Sequence, residues 1–454
     1  MMKYVFYDFE TTGISPAFDQ PLQFAAIVTD ESLNELERID IRCQVAPHIL
    51  PSPFALHVTN IKPEQTTNKN LQTPFEFAQT LQAFTEAWAP ACWLGFNTIA
   101  FDEPMMRQMF YQNLQPNIFA TQINGNTRLD VMKMVFATYA EANSTLAWPT
   151  NNKGKLSFKL DQLAPHNGFA HENAHDALAD VEATIYIFNK IKEGAPELFG
   201  KLLQAADKTF IASSLRGFVP MEVTLRFGAH PPKTYQGCFC GASKGNPNSI
   251  GFVDFELMGA NEFSIASPIA ITQAIEASPK KIRNLAINKS ETFRVIENPT
   301  EEMLHTCDQV KAATEVQGFV AEAFTARFSQ EEPAELEVED QIYSNFTSQQ
   351  DKNLLEHFQT ATWPERATII NKLSDRRLQQ LGKRLVAFYA PELLTDQQRI
   401  DFDNFLSQRW LTPGDQAPWM TAEEVWIALE KLGSDIEVSE WREFYQARID
   451  AILN

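Results

Sequence analysis

Apolar positions in the first part of the chain follow two different periods. Residues 3–9 (KYVFYDF), 23–29 and 40–45 read as strands, and 91–97 is a continuous apolar run of strand length. Residues 75–88, 103–112, 129–139 and 175–191 instead carry the three-to-four spacing of helices with one buried face. Strands alternating with helices predict a mixed sheet with flanking helices, an α/β domain over residues 1–194. From 195 to 335 the pattern changes to short β-like runs (221–227, 249–257, 285–288, 293–296) between turns such as GNPNS, with a helix over 301–328. This predicts a small β-rich domain, closed by the acidic stretch 331–335, read as a linker. Residues 336–454 read as all helical, with capping-box signatures at Thr347–Gln350, Thr395–Gln398 and Thr421–Glu424.

Composition agrees with this division. At 454 residues the chain suggests roughly three domains. A hydrophobic share of 44% and a charged share of 21% are ordinary for a soluble protein. No apolar run approaches the ~20 residues that span a bilayer, so no membrane association is expected. The opening MMKYVFYDFE lacks a basic start and a cleavage site, so no secretory signal is expected. The cysteines number 5, irregularly spaced, which suits reduced thiols in a cytoplasmic protein. Cys238-Phe239-Cys240 reads as ordinary strand or as half of a metal site with no second half nearby. A net charge of -20 argues against nonspecific nucleic-acid binding, but binding depends on local patches. Such patches exist at Lys153, Lys155 and Lys159, at Lys280, Lys281 and Arg283, and at Arg376, Arg377, Lys383 and Arg384.

Candidate chemistry begins in YVFYDFE. In an extended strand Tyr4, Phe6, Asp8 and Glu10 share one face, and Val5, Tyr7 and Phe9 the other. Asp8 and Glu10 then end an apolar strand side by side, where like charges raise a pKa unless a cation lies between them. Oxygen-rich sites of this kind suit Mg2+ or Mn2+. Thr12-Gly13 turns the chain, and glycine permits close approach of a ligand to the backbone. A strand ending in two solvated acids is the alternative. Asp102 follows the run WLGFN at the start of a helix, as a ligand or as an N-cap. His175 and Asp180 are separated by about 140° around a helix and about 7.5 Å along it, so they do not share a face. Asp180 is expected to point into the cleft at the sheet end, and His175 to reach over it. Their neighbours Asp176 and Glu182 are given no role.

In chain order these segments resemble the three exonuclease motifs of the DEDDh superfamily: Asp8-Phe9-Glu10-Thr11-Thr12-Gly13, then Asn97-Thr98-Ile99-Ala100-Phe101-Asp102, then His175 through Asp180. The resemblance implies that Asp8, Glu10, Asp102 and Asp180 hold two divalent ions roughly 3.5–4 Å apart, Mg2+ or in its place Mn2+. It implies His175 as the base for the attacking water, suited by an ordinary pKa of about 6.5. Glu10 would serve both the metal and the reacting phosphate.

The run DFETTGISPAFDQPLQFAAIVTD narrows the resemblance to the bacterial exonuclease I family, through Pro16, Asp19, Pro21, Gln23, Phe24, Ala25, Ala26 and Ile27. Further matches lie in LSFKLDQL, HNGFAHENAHDALADV, LAINKS and DQIYSNF, closest before residue 190. Membership implies a ribonuclease H-like nuclease domain, an SH3-like β domain and an all-helical C-terminal domain closing around a groove. It implies processive 3′→5′ digestion of single-stranded DNA to nucleoside 5′-monophosphates, in DNA repair and recombination. It also implies a partner, the C-terminal tail of single-stranded-DNA-binding protein. A monomer is expected. An exoribonuclease or an inactive strand-binding scaffold are the competing readings. Carried over from matched positions, Phe158 would stack on a base, worth about 1–3 kcal/mol. Lys159 would meet a phosphate, as a point charge where the family has arginine. Arg107 and Tyr111 would meet a phosphate and a base. Core packing is the alternative for Phe158 and Tyr111, and a solvated charge for Lys159 and Arg107.

Overall fold

Strand β1 (Lys3–Thr11) lies at the centre of the first sheet because both its faces are apolar. Tyr4 and Phe6 pack to one side with Leu94, Leu129 and Phe188, and Val5, Tyr7 and Phe9 to the other with Phe24, Trp93 and Phe110. The strand thus alternates as its period requires. β2 (Pro21–Thr29) and β3 (Glu35–Arg42) pair antiparallel on one flank, and β4 (Ala91–Gly95) and β5 (Thr127–Asp130) parallel on the other. The order is β3-β2-β1-β4-β5. After the short α1 (Pro53–Val58), the helices α2 (Pro74–Ala87) and α3 (Asp102–Gln112) cover one face. The helices α4 (Val131–Glu141), α5 (Leu160–His166) and α6 (Ala177–Gly194) cover the other. This is the mixed sheet with flanking helices that the alternation predicts. The computed structural model describes residues 2–170, 176–289, 292–327, 336–433, 436 and 438–453, so the acidic stretch 331–335 and His175 lie outside the described residues.

The pairing of β1 is lopsided. Against β4 it runs from Lys3↔Ala91 to Phe6↔Leu94, whereas against β2 it continues to Glu10↔Gln23. Asp8 and Glu10 therefore project beyond the end of β4, into the crevice at the carboxyl ends of strands where α/β sheets place ligands.

Two elements differ from the periodicity. β3 starts earlier than expected and is largely exposed: ELERIDIR is a charged edge strand, which protects a sheet from unwanted pairing but hides its apolar signal. β5 stands where the apolar spacing predicts the start of a helix at Leu129, which instead belongs to the strand. Asp130 separates the two, its carboxylate capping α4 at the Met132 N–H.

The second sheet is antiparallel throughout: β6 (Met221–Leu225), β7 (Lys233–Ala242), β8 (Ser249–Asp254), β9 (Ile282–Ala286) and β10 (Arg294–Val295), ordered β10-β6-β7-β8-β9. Cys238 and Cys240 are buried residues of β7 that pack in the core beside Cys307, the ordinary strand role. The single helix expected over 301–328 is two, Glu301–Ala312 and Thr314–Ala326. Arg294 of β10 and Thr234 of β7 bind the Glu141 carboxylate at the end of α4, joining the two sheets' regions.

Helices follow from Gln349 onward. Boxes form at Thr395–Gln398 and Thr421–Glu424, but at the first expected site Ser348, not Thr347, caps its helix by accepting from the Asp351 N–H. This region docks on α2 and α3 through Phe75, Tyr111 and Leu114. Beside that contact, the buried Glu339 accepts from Arg384 Nη1 and Arg409 Nη2, each at 2.7 Å. Removing one member of a buried ion group strands the others. Glu339→Ala is therefore expected to lower stability by about 3–5 kcal/mol in urea unfolding; an unchanged midpoint excludes a structural role for this group of three.

Candidate active site

Asp8 and Glu10 end the central strand on the face of Tyr4 and Phe6. Asp180 approaches them from the first turn of α6. One carboxylate oxygen from each of Asp8, Glu10 and Asp180 lies within 4.8 Å of the others. Asp102 opens α3 as a fully buried residue, and its Oδ1 accepts from the Phe9 N–H at 3.0 Å. That amide is on the stretch of β1 beyond the end of β4. Asp102 is not the N-cap of its helix, a position held by Phe101. Three predicted ligands thus meet directly, and the fourth is placed beside them by β1 itself.

Electrostatics match this crowding. Burial, then the charges of Asp180 and Asp102, push the Glu10 carboxyl up to about 9. Burial pushes Asp102 up to about 8, against the lowering effect of the Phe9 N–H. Asp8 is held well above the carboxylate range by burial, then by Asp102, Glu10 and Asp180. Hard divalent cations bind such all-oxygen donor sets and remove the repulsion. The residues present fit a divalent metal ion.

Several supports were not singled out in the sequence. Asp130, fully buried at the end of β5, accepts from the Asn97 N–H at 3.0 Å and the Ile99 N–H at 3.3 Å, shaping the loop that delivers Asp102. Asn97 takes a φ of 68° there, and a Cβ on Gly95 would fall 2.6 Å from the Tyr7 carbonyl oxygen, so this turn needs a glycine. Asp176 has a role after all. It caps α6 and meets Gln23 and Arg42 across the cleft. A helix-start signal, Asp before an apolar run, marks both residues in the sequence. At Gly13 a Cβ would fall 2.5 Å from the Asp19 carboxylate, which accepts from Thr12 Oγ1 and the Ser15 N–H, so glycine is needed for this turn to pack.

The candidate strand contacts divide. Lys159 is exposed at the start of α5, and Lys153 and Lys155 are exposed on the loop before it. Phe158 is buried among Phe136, Tyr139 and Trp148, with the Arg226 guanidinium over its ring at 4.7 Å, which is the packing alternative. Tyr111 is likewise buried, and its hydroxyl donates to the Val338 carbonyl at 2.9 Å. Arg107 is not a loose charge, because it pairs with Glu103 at 2.8 Å. Among the other basic candidates, Arg283, Arg377 and Arg384 pair with Asp254, Asp375 and Glu339, whereas Arg376 and Lys383 are exposed. No helix of the described residues is long and apolar enough to cross a membrane.

A mixed sheet that collects buried carboxylates beyond its central strands defines the class: an α/β protein with an acidic, cation-ready cleft of the nuclease type. The comparisons carry this further. Residues 5–188 match a family model described as an exonuclease, and residues 336–443 one described as the exonuclease I C-terminal domain. The chain is thus similar to the bacterial exonuclease I family in its nuclease and C-terminal regions. Exodeoxyribonuclease I of Haemophilus influenzae is 36% identical over 242 residues, 53% of this chain and 48% of that protein. The E. coli enzyme of that name is 36% identical over 206 residues, 45% and 43% of the two chains. These alignments thus span about half the length of the curated relatives. A solved structure of E. coli exonuclease I in complex with a dA16 oligonucleotide superposes over 100% of both chains, with a TM-score of 0.82 at 24% identity. Exonuclease I from Methylocaldum szegediense superposes equally well, TM-score 0.82 at 23% identity over 99% of this chain and 100% of that one.

Proposed function

We propose that the protein is a 3′→5′ exodeoxyribonuclease that degrades single-stranded DNA to nucleoside 5′-monophosphates. The convergence of Asp8, Glu10 and Asp180 within one ligand shell, in a chain similar to this family, carries the reading. Asp8, Glu10, Asp102 and Asp180 would hold Mg2+, as two ions, with Mn2+ able to substitute. Such ions, when bound, supply an activated water and charge neutralisation at the scissile phosphate. The protein's own groups do the rest. His175 takes the proton from the attacking water, and Glu10 borders the reacting phosphate. Lys159, exposed at the start of α5, attracts the strand's phosphates as a point charge. Burial of Asp102 and its bond to the Phe9 amide fix the geometry before substrate arrives.

One structural neighbour is a complex of SSB with exonuclease I, and this chain would bind the C-terminal tail of single-stranded-DNA-binding protein. The test uses matched oligonucleotides labelled at either end, with Mg2+. A 3′ label is expected to appear at once as mononucleotide, and a 5′ label last. Early release from the 5′ end refutes the polarity, and preference for an RNA strand of the same sequence refutes the substrate.

A further inference from the structure

We infer that Glu103 is a positioning residue that ties the Asp102-bearing turn of α3 to both accessory regions, so that their closure on a strand and cation binding at the acidic cluster are coupled. The inference rests on the metal-dependent reading above. Glu103 follows Asp102 and is 1% exposed. Its Oε1 accepts from Arg107 Nη2 and Thr121 Oγ1, each at 2.8 Å, and from Gln122 Nε2 at 3.3 Å. Its Oε2 takes Arg128 Nη1 in a buried ion pair. A desolvated carboxylate held by donors on both oxygens has one orientation, and Asp102 shares its helical turn.

Both arginines continue outward. Arg107 Nη1 donates to the Tyr343 hydroxyl at 3.3 Å, and its guanidinium lies 4.9 Å from the Phe119 ring, which stacks on Tyr343. Arg128 Nη2 reaches the Asn288 carbonyl at 3.5 Å. Asn288 follows β9 and Tyr343 precedes the C-terminal helices, so one buried acid touches both regions through one intermediary each. The same side of α3 is stapled further along: Gln108 Nε2 donates to the Glu339 carbonyl at 3.0 Å, next to the Tyr111 bond to Val338. Asn288 and Tyr343 fall in LAINKS and DQIYSNF, two segments singled out in the sequence to which the cleft itself assigns no task. A shift of either region pulls on the turn that carries Asp102.

A merely structural ion pair would change stability alone; a coupling must appear as a change in linked affinities. The full chain is titrated with Mn2+, free ion being read by electron paramagnetic resonance. One titration contains thymidine 5′-monophosphate, the other a thymidylate strand with cleavage-resistant phosphorothioate linkages. In the unaltered protein the strand is expected to tighten Mn2+ binding about fivefold or more beyond the mononucleotide. Glu103→Gln keeps the size but not the charge that holds both arginines, and is expected to bring this ratio to unity. Equal ratios in both proteins, or no excess in the unaltered one, overturn the inference. Absence of any Mn2+ binding overturns the metal-dependent reading itself. Should Glu103→Gln not fold, Tyr343→Phe on the 58% exposed Tyr343 replaces it. Losing that hydroxyl is expected to lower the ratio about twofold or more, and an unchanged ratio overturns the inference.

Discussion

Asp8→Asn is expected to cost hydrolysis of a single strand about a thousandfold or more, because the chemistry a divalent ion supplies is worth several kcal/mol and each 1.4 kcal/mol is about a factor of ten. Strand binding should change little, since it is spread over a groove and not over one carboxylate. The same substitution is expected to stabilise the metal-free protein. Asp8 is held well above the carboxylate range by burial and by Asp102, Glu10, Asp180 and Asp176, so at neutral pH the metal-free fold must take up a proton there or bear the repulsion, a cost the unfolded chain does not carry. Removing one of these acids relieves it, by about 1–2 kcal/mol, as trade-offs between stability and activity commonly do. Steady-state rates, equilibrium binding in Ca2+ and unfolding in chelator form the check. An active Asp8→Asn variant excludes the assigned site. An inactive variant less stable than its parent excludes the repulsion argument.

Metal-free stability is expected to fall as pH rises from about 4.5 to about 9, and a divalent cation is expected to reverse that fall. The sign follows from Glu10 and Asp102, pushed up to about 9 and about 8 from ordinary values of 4.5 and 3.8. Across that window the folded chain binds more protons than the unfolded one. The stability these groups contribute is complete below their unfolded pKa values and is lost as pH passes through the folded ones, at up to about 1.4 kcal/mol per pH unit for each group. A bound cation holds the acids ionised, so its stabilising effect grows with pH. Glu339 acts in the opposite sense: despite burial, which raises it, Arg384 and Arg409 hold it low, so its stability is lost below about 4.5. Melting temperatures across this range, in chelator and in Mg2+, test the claim. Parallel curves in the two conditions would show that the acids near Glu10 do not bind the ion.

How far the sequence carried depended on how local each cause was. Alternation along YVFYDFE required Asp8 and Glu10 to share a face, and their neighbours in space are those their period demanded. Caps at Thr395 and Thr421 were legible because a helix start is settled within four residues. The Thr347 box failed to its neighbour Ser348, since either hydroxyl fits a local motif and the helix's register chose between them. Phe158 and Tyr111 look alike in sequence whether they meet a base or a core; only the packing of other regions onto them decided for burial.

By itself, then, the sequence determined which residues could do chemistry: paired acids on one strand face, a third on a helix start, an arrangement that makes sense only with a cation. Tertiary structure decided how they stand. The early end of β4 leaves the Phe9 amide available to orient Asp102, and the burial that follows raises the carboxyls. It also turned polar and charged residues scattered over the chain, such as Arg107, Arg128, Glu103 and Tyr343, into one connected group. The physical reason is range. Backbone period and capping act within a few residues, whereas burial and charge coupling depend on what the distant chain brings within a few ångströms.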